Sequence, residues 1–206
     1  MNKKNQFLQF GLNCLGYKSK QELIEELYLK SIVDSYNRLI KTIGIENDIR
    51  DRFIYDFYNE SPLLKELIQS SVLYVNWERW VFKNEDYLGR TDLSFAISSF
   101  EYVVECKRLK NANQQYISEG LYRFIKNEYS SNESYAGMMG FVVEGNITNI
   151  SDELKNKCQK EEFNNNSFAN EKLNGWKHGF KTAHNRVNKT EINLHHLFFE
   201  FTISAN

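Results

Sequence analysis

Gly89-Arg90-Thr91-Asp92-Leu93-Ser94-Phe95-Ala96-Ile97 and, after Ser98, Ser99 and Phe100, Glu101-Tyr102-Val103-Val104-Glu105-Cys106-Lys107 decide how this chain reads. Both runs are rich in β-branched and aromatic residues and predict strands. The gap between them suits a hairpin, which makes them antiparallel neighbours. That pairing brings Asp92, near the start of the first run, toward Glu105, near the end of the second. Alternation along the second run sends Glu105 and Lys107 to one face and Cys106 to the other.

Two carboxylates meeting at a sheet edge form a candidate site for a divalent cation. Magnesium takes hard oxygen ligands, commonly one or two carboxylates, and fills its other positions with water and phosphate oxygens. Phosphodiester hydrolysis needs an attacking water and neutralisation of charge on the phosphoryl and departing oxygens. The expected division of labour gives Asp92, Glu105 and the Cys106 backbone carbonyl to the metal, and gives Lys107 the water and the phosphoryl charge. Glu-x-Lys is also an ordinary solvated face in a charged chain. Its place at the end of an apolar strand, with an acid opening the preceding strand, favours the chemical reading.

Outward from this pair, the first seventy residues read as helix. Ser19 and Glu22 form a capping-box pair, and Leu23, Leu27, Ile32, Tyr36, Leu39, Ile40 and Ile43 recur at helical spacing up to Gly44. A second helix begins near Asn47, and a third at Ser61-Pro62, where the one proline of the chain suits a first helical turn. Val72–Val75 and Trp77–Phe82 predict a strand, followed by a loop from Lys83 to Gly89. After Lys110 a helix carrying Tyr116, Gly120 and Arg123 leads to a strand over Met138–Val143, a crossover that makes this strand parallel to the Glu101–Lys107 run. A helix over Asp152–Phe163, a surface loop at Asn164–Asn166, and closing strands over Phe180–Val187 and Ile192–Ile203 complete the reading. At 206 residues the expectation is one domain: a helical region (1–70), a core (71–145), and a C-terminal helix with closing strands (146–206).

The net charge of −1 removes whole-molecule attraction to phosphate, so any nucleic-acid binding rests on local charge. Cys14, Cys106 and Cys158 fit neither a disulfide framework nor zinc spacing, and a reducing, cytoplasmic setting suits them. No run of about 18 apolar residues is present to enter a membrane.

Gly89-Arg90-Thr91-Asp92, then Glu105-Cys106-Lys107, then a helix, resembles the PD-(D/E)xK nuclease superfamily over roughly residues 72–145. The resemblance implies an α/β, restriction-endonuclease-like fold, a mixed central sheet flanked by helices, here with a helical N-terminal region. It implies catalysis by Asp92, Glu105 and Lys107 with Mg2+, for which Mn2+ substitutes. Thr91 stands where the name-giving proline would be, and the following helix lacks the Gln-xxx-Tyr signature of exonuclease-like members. The resemblance is to restriction- or defence-type members, which implies an endonuclease acting on DNA, with RNA as the alternative substrate. A catalytically silent nucleic-acid-binding or assembly module is the reading from a different class. The near-neutral charge implies a homodimer or a partner protein within a defence complex.

Glu46 has two readings: the extra metal-side acid of many such nucleases, or a helix N-terminal acid. Arg90, Tyr116 and Arg123 are candidate phosphate contacts, with Tyr116 in the core and Arg123 in an ion pair as the alternative. The segment Lys172–Lys189 interleaves cations with Trp176, His178 and Phe180, and makes Lys177, Lys181, His184 and Arg186 candidate nucleic-acid contacts. Its other reading is a lysine-bearing loop beside an ordinary hairpin. His184, His195 and His196 lack a metal spacing and are expected to be structural, the adjacent pair pointing to opposite faces of a strand, with phosphate contact the other reading of His184.

Overall fold

A computed structural model describes residues 3–84, 87–161, 164–169, 173 and 175–203, and their side chains except at 81–88 and 164–169. The strands β1 (Tyr74–Asn84), β2 (Tyr87–Ile97), β3 (Phe100–Leu109), β4 (Tyr135–Val142), β5 (Asn164–Ala169), β6 (Gly179–Asn185) and β7 (Glu191–Glu200) form one seven-stranded sheet in the order β1-β2-β3-β4-β7-β6-β5. The sheet is mixed. β3, β4 and β7 run parallel, while β1–β2–β3 and β7–β6–β5 are antiparallel ribbons on either side.

Helices cover both faces. The N-terminal region supplies α1 (Lys3–Cys14), α2 (Lys20–Leu23), a π-helical stretch Ile24–Leu29, α3 (Lys30–Arg38), α4 (Glu46–Asn59) and α5 (Pro62–Gln69). Their apolar residues share one core with Tyr102, Val104 and Cys106 of β3. On the other face lie a π-helical stretch Tyr116–Leu121 continued by α6 (Tyr122–Ile125), and α7 (Ile147–Lys160), sharing a second core with Val103 and Leu109. Glu105 and Lys107 alternate with Cys106 and so belong to this second face.

Local chemistry explains most boundaries. The Ser19 hydroxyl accepts from the Glu22 N–H, and the Ser61 hydroxyl from the Leu64 N–H. The Glu22 carboxylate returns to the Lys18 N–H at 2.6 Å, one residue before the position a standard capping box uses. The long helix ends at Arg38 rather than Gly44. Leu39 turns to extended backbone, Ile40 is exposed, and residues 41–43 run beside Ile203. Pairing with the C-terminal chain therefore overrides the helical spacing there. The expected loop at Lys83–Gly89 is instead the end of a β1–β2 ribbon, its residues 85 and 86 outside the described ones. Asn146 caps α7 through the Asn149 N–H, which starts that helix five residues earlier than expected; Phe163 lies outside the described residues. Asn164–Asn166 open β5 instead of forming a loop.

Buried histidines stitch the two cores. His195 faces Tyr102, with Nδ1 and the hydroxyl 3.1 Å apart, while its neighbour His196 meets Tyr116 at 2.9 Å on the other face. Thr182 Oγ1 then joins His196 Nε2 and His184 Nε2, each at 2.8 Å. Burial lowers the pKa of all three rings, to about 4 for His184 and His195. A histidine with a depressed folded pKa contributes stability above the unfolded value, and loses it as pH falls toward the folded one. Between pH 6.5 and 4, His184 and His195 should each cost about 2–3 kcal/mol, and His196 adds to the loss in the same direction. The urea midpoint of unfolding should therefore drop steeply from about pH 7 to pH 5; a flat profile would contradict this account.

Candidate functional site

The site exists because two paired strands part. The β2–β3 ladder runs from Ile97↔Phe100 to Leu93↔Val104 and stops, which leaves Asp92 and Glu105 opposite one another one step beyond it. On the other side of β2, Trp77↔Leu93 is followed by Arg79↔Thr91, and the intervening Glu78 adopts a left-handed backbone with φ 50°. Asp92 is thus outside regular pairing on both sides.

Beyond Val104, the edge of β3 that faced β2 still carries N–H groups in need of acceptors. Two carboxylates supply them. Asp92 Oδ2 accepts from the Cys106 N–H at 2.8 Å, and Glu46 Oε2, from the first turn of α4, accepts from the Arg108 N–H at 2.7 Å. Arg108 Nε donates in turn to the Gly44 carbonyl at 2.8 Å, which fixes the approach to α4. In an extended strand the N–H and C=O of one residue point to the same side, so the Cys106 carbonyl faces this same edge.

Glu105 is fully buried. Its Oε1 accepts from Lys107 Nζ at 2.7 Å and from an Arg123 terminal nitrogen at 2.8 Å, while its Oε2 is buried without a hydrogen-bond partner. Burial, then the negative charge of Asp92, raise the Glu105 carboxyl to about 7 against the pull of Lys107 and Arg123. Glu46 is also raised, first by burial, with Lys107 and the Arg108 N–H opposing. Burial works against the Lys107 ammonium, but Glu105 outweighs it and holds the lysine above its ordinary value. Arg123 behaves in the same way.

The helix over the site comes close because residue 120 is glycine. A Cβ there would sit 2.5 Å from Met138 Cε and 3.7 Å from Lys107 Cε, so the lysine stem lies directly against the helix. Arg123 is steadied from the far side by Tyr129, whose hydroxyl accepts from it at 3.0 Å and donates to the Arg90 carbonyl at 2.5 Å. Tyr129 was not among the expected site residues. Its signal in the sequence is that it is the lone aromatic in the polar stretch 126–134.

The structure brings Asp92, Glu105, Lys107, Glu46 and Arg123 together, with Arg90 two residues from Asp92, and places the other expected contacts elsewhere. Tyr116 and His184 are buried in the second core and occupied by His196 and Thr182, which favours the core and structural readings of these two over nucleic-acid contact. Arg186 is buried too. It donates to the carbonyls of Phe124, Ser130 and Glu133, and so holds the loop that carries Tyr129 instead of facing solvent. Lys181 is ion-paired with Glu25, Lys177 is exposed, and Lys172 lies outside the described residues. Arg90 is exposed on the β1–β2 ribbon.

Among the described residues, no group of three or more His, Cys, Asp or Glu side chains is arranged to hold a metal ion. No helix there is long and apolar enough to cross a membrane. What the fold and site define is an α/β protein whose mixed, helix-flanked sheet parts at one edge and gathers acids and bases in the opening. Comparisons with protein-family models, curated proteins and solved structures find no match.

Removing Arg123 leaves the buried Glu105 carboxylate with Lys107 as its one remaining cation among the contacts described. Arg123→Met should destabilise the protein by about 1–3 kcal/mol, less than the loss of a sole partner, and push the Glu105 carboxyl further up. Urea unfolding combined with a carboxyl-carbon NMR titration would test both; an unmoved Glu105 titration would show that the guanidinium does not govern it.

Proposed function

We propose that this chain is a magnesium-dependent nuclease of the PD-(D/E)xK, restriction-endonuclease-like class that hydrolyses phosphodiester bonds of DNA. The observation that carries the reading is the Glu105 carboxylate: one oxygen held by two cations, the other buried without a partner, and Asp92 opposite it where the strands part. A divalent cation would give the orphaned oxygen its partner and relieve the repulsion between the two acids. The donor set is all hard oxygen: Asp92, Glu105 and the Cys106 carbonyl, with Glu46 farther along the same edge. It suits Mg2+, with Mn2+ as a substitute. Two carboxylates are enough for magnesium, so a group of three clustered side chains is not required.

Held there, the ion would supply a Lewis acid for a phosphoryl oxygen. Lys107 stands beside Glu105 to orient the attacking water and counter phosphoryl charge. Arg123 adds a planar cation fixed on two sides, by Glu105 and by the Tyr129 hydroxyl. Of the cations expected to contact phosphate along the chain, Arg90 and Lys177 are exposed. A role in prokaryotic anti-phage or restriction defence follows from the family analogy, a cytoplasmic setting from the cysteine pattern, and a homodimer or partner protein from the near-neutral charge. RNA is the alternative substrate.

One feature favours a second reading, a catalytically silent nucleic-acid-binding module on the same architecture. Glu105 is already ion-paired twice within the chain, which neutralises part of the charge a metal would meet.

Cleavage of labelled DNA and RNA with Mg2+, Mn2+ or EDTA separates these readings. The nuclease should cleave with either metal, stop in EDTA, and lose roughly 100-fold or more in Asp92→Asn and Lys107→Ala. Asp92→Asn keeps an oxygen for the Cys106 N–H, so its loss of activity reports charge rather than misfolding. Binding without cleavage under every condition would establish the silent module, and cleavage undiminished in both variants would remove this site from the chemistry.

A further inference from the structure

The β1–β2 ribbon continues past the last β2–β3 pair, so it projects beyond the point where the acids gather. Trp80 and Arg90 are directly paired across it. The Trp80 side chain is 63% exposed, the largest exposure of an aromatic on the described part of the sheet, and the Arg90 guanidinium lies 6.0 Å over its ring. An indole left this open costs solvation and gains nothing for the core.

The pair is nonetheless held in place. Glu78 contacts Arg90 at 3.4 Å, and buried Arg50 of α4 contacts Glu78 at 3.2 Å. Tyr58 of α4 packs edge-on against the neighbouring Trp77, with 5.9 Å between ring centroids. The Arg90 carbonyl accepts the hydroxyl of Tyr129, which also steadies Arg123 against Glu105. An exposed indole and a cation are therefore anchored together, with Arg90 two residues from Asp92, a distance of about 7 Å along a strand.

We propose that Trp80 and Arg90 form a platform that stacks one unpaired nucleobase and contacts its phosphate, so that the substrate presents a single strand to the site. Every base has a π-face and a neighbouring phosphate, which is the chemistry that an open indole with an adjacent guanidinium recognises. A duplex keeps its bases stacked and would offer only phosphate to Arg90. The proposal deepens the nuclease reading and relies on it for the choice of nucleic acid as ligand.

Fluorescence anisotropy in EDTA, with labelled oligothymidylate and a matched duplex as probes, tests the platform without turnover. The wild-type protein should bind the single strand more tightly than the duplex. Trp80→Ala should weaken single-strand binding by roughly five- to a hundredfold, the span of base–aromatic stacking, while leaving the duplex unchanged. Trp80→Phe should recover most of the loss, and Arg90→Gln should reduce the salt dependence by about one counterion. No single-strand binding, or binding indifferent to Trp80→Ala, would overturn the proposal. The two readings fail separately. Trp80-dependent binding without cleavage by any form leaves the platform standing and removes the nuclease. Metal-dependent cleavage of single strands at equal rates by wild type and Trp80→Ala leaves the nuclease and removes the platform.

Discussion

The parting of β2 from β3 after Leu93 and Val104 is the constraint on which the rest depends. A strand in the middle of a sheet cannot leave its backbone N–H groups without acceptors at modest cost, because each lost bond exposes a desolvated donor. Here the vacated donors of Cys106 and Arg108 are answered by Asp92 and Glu46. Acids are thereby drawn to a place where ordinary packing would put apolar side chains. Half-buried there, they flank the fully buried Glu105, and Lys107 and Arg123 are the charges that make the burial of Glu105 tolerable. The grouping of acids and bases is a consequence of how one ladder ends.

The layers on either side maintain that ending. The N-terminal helices support the Cys106 face, and α4 delivers Glu46 from its first turn. On the opposite face, Gly120 lets the helix press against the Lys107 stem, and Arg186 pins the loop that brings Tyr129 to Arg123. The buried line from Tyr116 through His196 and Thr182 to His184 ties this helix to the closing strands. Residues that resemble ligands in isolation are used here as struts.

Legibility from sequence divided along physical lines. The β2–β3 hairpin, the crossover to a parallel β4, and the shared neighbourhood of Asp92, Glu105 and Lys107 were readable because strand alternation and hairpin length are local properties. The true end of α3 was not, since Ile40 and Ile43 keep helical spacing while residues 41–43 pair with a segment far away in the chain. Tyr116 and His184 each keep two readings, and Arg186 reads as a surface contact, for a related reason: a polar side chain shows its chemistry in sequence but not whether a buried partner awaits it. Glu46 had two readings, and its bond to the Arg108 N–H explains its position by strand capping, independently of any metal.

The contact between residues 41–43 and Ile203 has a mechanical side. Thr42 and Ile203 form a parallel bridge, Ile43 donates to Ile203, and the Gly44 carbonyl immediately afterwards receives Arg108. The backbone at Ile203 therefore acts as a latch on the short lead into α4, and α4 in turn positions Glu46. Force or disorder at the carboxyl end would travel through a handful of backbone bonds to an acid at the sheet's open edge, although the two lie more than 150 residues apart along the chain.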